Sequence, residues 1–303
     1  MERIKQALEL ARQERIKNGG KVTGSIAKPD KQQKRVEDQD ITYTNTRTVP
    51  MPVEELREKR IITEQQNSIS DSYRILRTQV LQRLNDKNWN TLAITSPSAG
   101  AGKSLTAINL AISLAREVDN TVLLIDANLR SPKLDKYFDF DAAYGLSDYL
   151  LQDKPLGEML IHPEGVSRFV VLPAGRAIAN SSEMLSSPKM QRFVDEVKHR
   201  YPSRIVIFDL PPILESSDTL AFIPNADATL VVVEEGKTTD AELKQAFELL
   251  SGSEVLGTVL NKAYTQDRDY DSLDVKQGWL SRVLSAVSKK SLSRKIGISK
   301  EGA

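Results

Sequence analysis

The stretch Thr91-Leu-Ala-Ile-Thr-Ser-Pro-Ser-Ala-Gly-Ala-Gly-Lys-Ser104 decides the fold of this chain. A short, β-prone apolar run ends in a loop of small residues. The loop closes with Gly100, Gly102, Lys103 and Ser104, and an apolar helical pattern follows directly. Glycine lets backbone N–H groups turn inward around an anion, and a helix N-terminus adds partial positive charge. The stretch therefore predicts a phosphate-binding loop between a strand and a helix.

The end of this loop supplies the chemistry of nucleotide binding. Lys103 can reach the β- and γ-phosphates, and the Ser104 hydroxyl can ligate Mg²⁺. The match to the pattern G-x-x-x-x-G-K-[ST] is imperfect because Pro97 holds the first glycine position. The alternative is a glycine-rich turn that happens to precede Lys-Ser. We expect ATP and Mg²⁺ as cofactors, with the nucleotide held by Ser98, Ala99, Gly100, Ala101, Gly102, Lys103, Ser104 and Leu105.

The composition excludes several classes of site. The chain has 303 residues, a formal net charge of +1 and no cysteine, so disulfides, thiolate metal sites and cysteine nucleophiles are absent. With only His162 and His199, a Ser-His triad or a histidine-rich metal site is not expected. No apolar run approaches the ~20 residues of a membrane-spanning helix, and no signal peptide is evident. We expect a cytoplasmic protein that can associate with a membrane through a partner or its C-terminal tail.

Apolar runs alternate with helical patterns through the middle of the chain. One helical pattern covers residues 69–84, and Thr239 with Glu242 forms a capping-box signature for another. Strands are predicted at 91–95, 121–125, 168–172, 204–208, 228–233 and 256–260. Nearly continuous apolar strands are typical of sheets covered on both faces. The predicted fold is α/β, a P-loop NTPase fold with a mostly parallel twisted sheet and helices on both faces.

Composition also divides the chain into three parts. Residues 1–60 predict an N-terminal amphipathic helix, over 1–17, and a polar flexible linker. Residues 61–263 form the predicted ATP-binding domain. Residues 264–303 form a C-terminal tail that is first acidic and then basic.

Two further predicted strands end in aspartate. Asp126 follows Val122-Leu-Leu-Ile, and Asp209 follows Ile205-Val-Ile-Phe and precedes two prolines. The carboxyl ends of parallel strands share one edge of a sheet, so both aspartates should meet the phosphate loop there. Magnesium in phosphate sites uses one or two carboxylates. Ser104, Asp126 and Asp209 are therefore the predicted metal ligands, although either aspartate alone could be a helix cap or turn residue.

The order of these motifs resembles the bacterial protein-tyrosine kinases of capsule and exopolysaccharide biosynthesis, the BY-kinase family. The shared features are the phosphate loop, the Asp126–Arg130 motif and Asp209-Leu-Pro-Pro212. Further motifs follow the family spacing: Gly145-Leu146-Ser147, Leu172-Pro-Ala-Gly175, Asn180–Leu185 and Val259-Leu-Asn261. The resemblance runs from about residue 69 to 262. It implies an ATP-dependent tyrosine autokinase that regulates polysaccharide synthesis and export.

The resemblance also assigns roles to individual residues. Lys103, Asp126 and Asp209 would be catalytic, with Asp126 assisting the attacking tyrosine hydroxyl and Asp209 holding Mg²⁺ through water. Asn261 is a candidate for base recognition, and a strand-end turn is the alternative. The family's self-association helix corresponds to Asp71, Arg74 and Arg77, so a homo-oligomer is expected. The expected partner is a membrane chain-length-determinant protein, also called a polysaccharide co-polymerase.

The chain departs from the family pattern at four points. Asn128 replaces a second aspartate, Leu105 replaces threonine, and Asp71 replaces glutamate. The C-terminal tyrosine cluster that accepts the phosphoryl group is missing. Tyr270, among acidic neighbours, and Tyr264 are the candidate acceptors left.

The basic residues 276–300 permit a second use of the tail. Apolar residues on one side of a predicted helix and lysines on its flanks favour contact with an anionic membrane, or packing against the protein itself. Nucleic acid is not expected because interleaved stacking aromatics are missing.

Two alternative functions remain open. One is a ParA/MinD-like nucleotide-switched ATPase, although Ser98 stands at the signature lysine of that class. The other is a degenerate ATP-binding scaffold, which Asn128 and the missing tyrosine cluster would suit.

Overall fold

The computed structural model describes residues 46–64, 67–200 and 203–263. Their strands are β1 Arg47–Val49, β2 Thr91–Thr95, β3 Thr121–Asp126, β4 Ile161–Pro163, β5 Phe169–Leu172, β6 Arg204–Asp209, β7 Ala228–Glu234 and β8 Val255–Asn261. In the described part of the chain they form one sheet in the order β1-β4-β5-β3-β6-β2-β7-β8. Neighbouring strands are parallel except for β4 and β5. The predicted α/β sheet is confirmed.

Helices cover both faces of this sheet. They are α1 Val53–Glu58, α2 Ser68–Lys87, α3 Lys103–Ala115, α4 Leu134–Phe138, α5 Leu146–Gln152, α6 Leu156–Met159, α7 Ser181–Leu185, α8 Pro188–His199, α9 Ser217–Phe222 and α10 Asp240–Leu249. Helices α2 and α3 pack in one core, and α8 and α10 pack in the other. No helix in the described ranges is long and apolar enough to cross a membrane.

Successive side chains of a central strand enter opposite cores. In β2, Leu92 and Ile94 belong to the core under α3, while Ala93 belongs to the other core. This alternation is the period-two geometry of a strand, and both cores are apolar. The strands therefore read as continuous apolar runs, which is why six of the eight described strands could be predicted from composition.

The linker prediction is wrong for residues 46–60. Arg47–Val49 pairs in parallel with Ile161–Pro163 and extends the sheet by one strand. Leu56 in α1 is buried, and so are Ile61 and Ile62 after it. A three-residue strand of mixed polarity and a six-residue helix are too short to give a periodic signal in the sequence. The N-terminal helix, Tyr264, Tyr270 and the basic segment 276–300 lie outside the described residues.

A buried asparagine fixes this N-terminal segment to α3. The Asn109 side chain accepts a hydrogen bond from the Ile62 backbone N–H at 3.0 Å and donates one to the Arg60 carbonyl at 3.0 Å. Asn109 is 1% exposed, so both of its bonds replace contacts with water. The segment is consequently attached to the helix that begins at the phosphate loop.

Candidate active site

The loop between β2 and α3 has the backbone of a phosphate-binding loop. Gly100 and Gly102 both have φ of +87°, a region in which residues with a Cβ are strained. Lys103 and Ser104 then form the first turn of α3. The N-terminal N–H groups of α3 have no partners within the helix, so they are available to phosphate oxygens.

Side chains from neighbouring strands and helices hold the loop in place. Ser98 Oγ donates a hydrogen bond to the Glu242 carboxylate at 2.6 Å, and this bond contributes to a lowered Glu242 pKa. At the other end of the loop, Asn261 Nδ2 donates to the Ala101 carbonyl at 2.8 Å. Helix α10 and strand β8 thus support the loop from the side away from the aspartates. In this arrangement the Asn261 amide is bonded to the loop, and a base-recognition role for it stays a prediction.

A buried ion pair lies beneath the loop. Lys103 Nζ is 3.2 Å from Asp209 Oδ1 and 3.2 Å from Ser104 Oγ. The side chains of Lys103 and Asp209 are 8% and 0% exposed. Because a buried charge needs a partner, each of these groups holds the other in position. The loop and β6 therefore bring three of the predicted site residues together.

Asp126 lies beside this pair. It stands in register with Asp209 on the neighbouring strand. Its carboxylate accepts backbone hydrogen bonds from Lys133 at 2.8 Å, Leu134 at 3.0 Å and Asn128 at 3.1 Å. Burial raises the pKa of Asp126 to about 7, with Asp209 contributing, and the three backbone bonds oppose the rise. A carboxyl with a pKa near neutrality is suited to accept a proton.

The donor set fits magnesium bound together with a nucleotide. Asp209 Oδ2 is buried and has no hydrogen-bond partner, so one carboxylate oxygen is left for a ligand. The neighbouring Ser104 hydroxyl adds a second hard oxygen, the ligand type that Mg²⁺ prefers. In the described ranges no three His, Asp or Glu side chains are grouped to hold a metal. The nucleotide phosphates and water would supply the other ligands.

An open cleft of about 340 Å³ lies over these groups. Five predicted residues line it: Ala99, Gly100, Gly102, Lys103 and Ser104. The remaining predicted residues are not part of its lining: Ser98, Ala101, Leu105, Asp126, Asp209 and Asn261. Leu105 instead packs against the core under α3. Contacts with nucleotide stay a prediction for the whole set.

Sequence reasoning did not assign three charged residues of this cleft. Glu215 accepts a hydrogen bond from the Ala99 backbone N–H. Arg130 and Lys133, in the segment after β3, also line the cleft and have exposed side chains. The available signal was their position directly after the two aspartate motifs, where a parallel sheet concentrates ligand contacts.

The predicted self-association residues lie on α2. Asp71 and Arg74 form an exposed ion pair at 3.0 Å. Arg77 is different because it donates to the Ser113 carbonyl and pairs with Glu117 at 2.8 Å within its own chain. Asp71 and Arg74 are thus accessible to another molecule, whereas Arg77 is occupied.

A glycine loop joining a parallel strand to a helix, with a lysine–aspartate pair beneath it, defines a P-loop nucleotide-binding protein. A family model described as an AAA domain matches residues 89–251. The tyrosine-protein kinase YwqD of Bacillus subtilis is 32% identical over 224 residues, which cover 73% of this chain and 93% of that protein. The chain belongs to the bacterial tyrosine-kinase (BY-kinase) family.

Further relatives carry the same description. The tyrosine-protein kinase CpsD of Streptococcus agalactiae is 30% identical over 201 residues, which cover 65% of this chain and 85% of that protein. The tyrosine-protein kinase ptk of Acinetobacter johnsonii is 32% identical over 202 residues, but the match spans only 27% of its length. The similarity is therefore to whole proteins in some relatives and to one part of a longer chain in others.

Solved structures agree with this assignment. The kinase domain of the Escherichia coli tyrosine kinase ETK superposes with a TM-score of 0.62 at 26% identity, covering 74% of this chain and 91% of that one. The chimerical protein CapA2B2 gives a TM-score of 0.62 at 26% identity, covering 72% and 93%. Cyanothece McdA, at 20% identity and a TM-score of 0.51, shares the fold.

Proposed function

We propose that this protein is an ATP-dependent protein-tyrosine kinase that regulates capsule or exopolysaccharide synthesis and export. The buried cluster of Lys103, Ser104 and Asp209 carries the proposal, because it supplies the charge that phosphoryl transfer from ATP requires. Similarity to a bacterial tyrosine kinase, at 32% identity over 93% of that protein's length, supports tyrosine as the acceptor. The activity itself is open to direct test.

Each residue of the candidate site has a separate role in the proposed reaction. Backbone N–H groups of the loop and Lys103 would hold the β- and γ-phosphates. Ser104 and Asp209 would hold Mg²⁺, which neutralises the phosphate charge when bound. A bond forms between the tyrosine oxygen and the γ-phosphorus while the bond from that phosphorus to ADP breaks. The tyrosine proton passes to Asp126, the buried carboxylate that stands in register with Asp209 on the neighbouring strand.

The alternative functions are weaker on specific grounds. In the nucleotide-switch class, a lysine stands at the position of Ser98, but here the Ser98 hydroxyl is bonded to Glu242 inside its own chain. A degenerate scaffold is favoured by Asn128. However, the Asn128 side chain accepts from the Ser131 N–H at 3.3 Å and its backbone N–H donates to Asp126, so it shapes the loop.

Assembly is a separate part of the proposal. A membrane chain-length-determinant protein is the proposed activating partner, and copies of this chain would associate through the face of α2 that exposes Asp71 and Arg74. Multi-angle light scattering of Asp71→Ala and Arg74→Ala chains tests the second point. A fall in oligomer mass is expected, and Lys87→Ala at the far end of α2 is the control. An unchanged mass in both variants would contradict this interface.

Phosphate mapping tests the kinase proposal directly. Purified protein is incubated with Mg²⁺ and γ-labelled ATP, with and without an activator segment, and phosphorylated residues are identified by mass spectrometry. We expect phosphotyrosine, at Tyr270 or Tyr264 or on an added peptide, that disappears in Lys103→Met. The matched control is Lys244→Met, an exposed lysine on α10. ATP binding without phosphotyrosine in any arm would favour the switch or scaffold alternatives.

A further inference from the structure

The charged side chains of the cleft differ in how fully they are paired with other groups. Lys103 is paired with Asp209, and Glu215 accepts from the Ala99 N–H. Arg130 and Lys133 line the same cleft with exposed side chains. Among the described residues Lys133 makes no ion pair, and the single ion pair of Arg130 is to Asp218 at 3.7 Å. The wall formed by Arg130 and Lys133, called the cationic wall below, therefore presents positive charge to a ligand.

Asp218 explains why Arg130 stays at this wall. Asp218 is 0% exposed, and neither of its carboxylate oxygens has a hydrogen-bond partner. An ionised carboxylate buried without hydrogen bonds needs a nearby cation, and the guanidinium of Arg130 is that cation. At 3.7 Å the pair is too long for a hydrogen bond, so the guanidinium N–H donors remain unused. Arg130 is thus attracted to one place while keeping its donors for another molecule.

The sheet order shows which ligand this wall faces. The sequence of neighbouring strands is β3-β6-β2-β7-β8. The phosphate loop follows β2, Asn261 lies on β8, and the two aspartates end β6 and β3. The nucleophile of a phosphoryl transfer approaches from the side opposite the departing ADP. If the base lies beside Asn261 as predicted, ADP departs toward β8, and the cationic wall, which follows β3 at the other end of this strand order, lies on the side from which the acceptor enters.

We propose that the cationic wall selects acceptor segments in which acidic residues flank the tyrosine, with Arg130 reading the acidic side chain and Asp218 positioning Arg130. The inference rests on the proposed kinase function. Arg130 can bind a carboxylate with two parallel N–H bonds, and Lys133 adds a point charge. The chain itself contains such a segment in Asp267-Arg-Asp-Tyr-Asp271, with three acidic residues close to Tyr270.

Matched peptides provide the test. One peptide has the sequence of residues 266–274, in which Tyr270 is the sole tyrosine, and the other replaces each aspartate by asparagine. Phosphorylation of both peptides is measured with the full chain, Mg²⁺ and ATP. For each protein variant, kcat/KM for the acidic peptide is divided by kcat/KM for the neutral peptide, and this ratio is compared between variants. We expect a ratio of about ten or more for the unmodified chain, falling toward one in Arg130→Gln and part of the way in Lys133→Gln. Lys136→Gln, an exposed lysine on α4 that does not line the cleft, should leave the ratio unchanged.

The positioning role of Asp218 needs a second comparison. We expect Asp218→Asn to lower the acidic-over-neutral ratio as Arg130→Gln does, and the double variant to be no worse than Arg130→Gln alone, because both changes remove one interaction. Arg130→Lys should restore part of the ratio, since it keeps the charge and loses the fork. Independent, additive effects of the two changes on the ratio would contradict the positioning role.

Binding measurements separate failure of this inference from failure of the kinase proposal. Fluorescence anisotropy with Tyr270→Phe versions of both labelled peptides, in the presence of ADP and Mg²⁺, measures the preference without catalysis. Equal phosphorylation of both peptides would overturn the inference and leave the kinase intact. Tighter binding of the acidic peptide that Arg130→Gln abolishes, without phosphotransfer to any tyrosine, would support the wall and refute the kinase. A loss of kcat in Arg130→Gln that is equal for both peptides would also overturn selection by charge.

Discussion

The phosphate loop and the cationic wall line the same cleft, but they are held in different ways. The loop is fixed by two glycines with positive φ, a buried Lys103–Asp209 pair and a bond from Asn261. The wall consists of two exposed cations, one of which is steadied by a buried carboxylate at 3.7 Å. The contacts that hold the loop are therefore formed without a ligand, whereas the wall keeps charge that is not fully paired. Phosphate binding depends on backbone geometry, and acceptor choice depends on a few side chains.

The largest effect is expected when the buried Lys103–Asp209 pair of the phosphate loop is removed. Asp209→Asn leaves Lys103 without its anion and removes the carboxylate that we propose as a Mg²⁺ ligand. We expect tyrosine phosphorylation to fall by at least about 100-fold, because this charge acts on the transferred phosphoryl group. Initial rates across a Mg²⁺ titration measure the loss. Asp195→Asn, on the exposed face of α8, is the control. If Asp209→Asn kept an activity within threefold of the unmodified chain, Asp209 would be dispensable.

A second test targets the backbone of the loop. Gly102 has φ of +87°, and a Cβ there would collide with the Asn261 amide. Gly102→Ala should lower nucleotide affinity about 10-fold to 100-fold, measured by calorimetry, because the loop must distort. Gly165→Ala is a close control, since Gly165 has φ of +84° with nothing near the added Cβ. Partial recovery of affinity in Gly102→Ala with Asn261→Ala would separate the collision from the backbone strain.

The buried carboxyl at the boundary of the two regions predicts a pH dependence. Asp126 has a pKa of about 7 when folded, against its ordinary value of 3.8. Between these values the folded chain holds a proton that the unfolded chain has released, so stability falls as pH rises toward 7. We expect the free energy of unfolding without Mg²⁺ to drop on the order of 2 kcal/mol more from pH 5 to pH 8 than in Asp126→Asn.

Urea unfolding at the two pH values measures that difference. Asp195→Asn serves as a control for the removal of an ordinary exposed carboxylate. Equal slopes in the unmodified chain and Asp126→Asn would mean that Asp126 titrates normally, and the general-base assignment would lose its support.

The smallest effect is expected at the outer support of the loop. Ser98→Ala removes the hydrogen bond to Glu242 but leaves the loop glycines and the buried pair unchanged. We expect nucleotide affinity to fall only twofold to threefold, in keeping with a partly exposed hydrogen bond. A loss as large as that of Gly102→Ala would show that side-chain support, and not backbone conformation, fixes the loop.

The same contrast separates what the sequence could predict from what it could not. The loop, its two aspartates and the six predicted strands depend on local patterns of glycine, charge and apolar runs. The roles of Glu215, Arg130 and Asp218 depend on which loops meet above the sheet, and no single segment encodes that meeting. Likewise, β1 and β4 are only three residues long and take their conformation from pairing, β1 with β4 and β4 with both β1 and β5.

The added strand β1 has a consequence for handling shortened forms of the protein. Its pairing covers one side of β4 at the end of the sheet. A chain cut at the compositional boundary, residue 61, would leave backbone hydrogen-bonding groups of Ile161–Pro163 without that neighbour. It would also uncover the apolar surface against which Val49 and Leu56 pack. Bare strand edges pair with other chains and aggregate. Shortened forms should therefore begin before Arg47. Aggregation of a form that begins at residue 61 would result from the truncation.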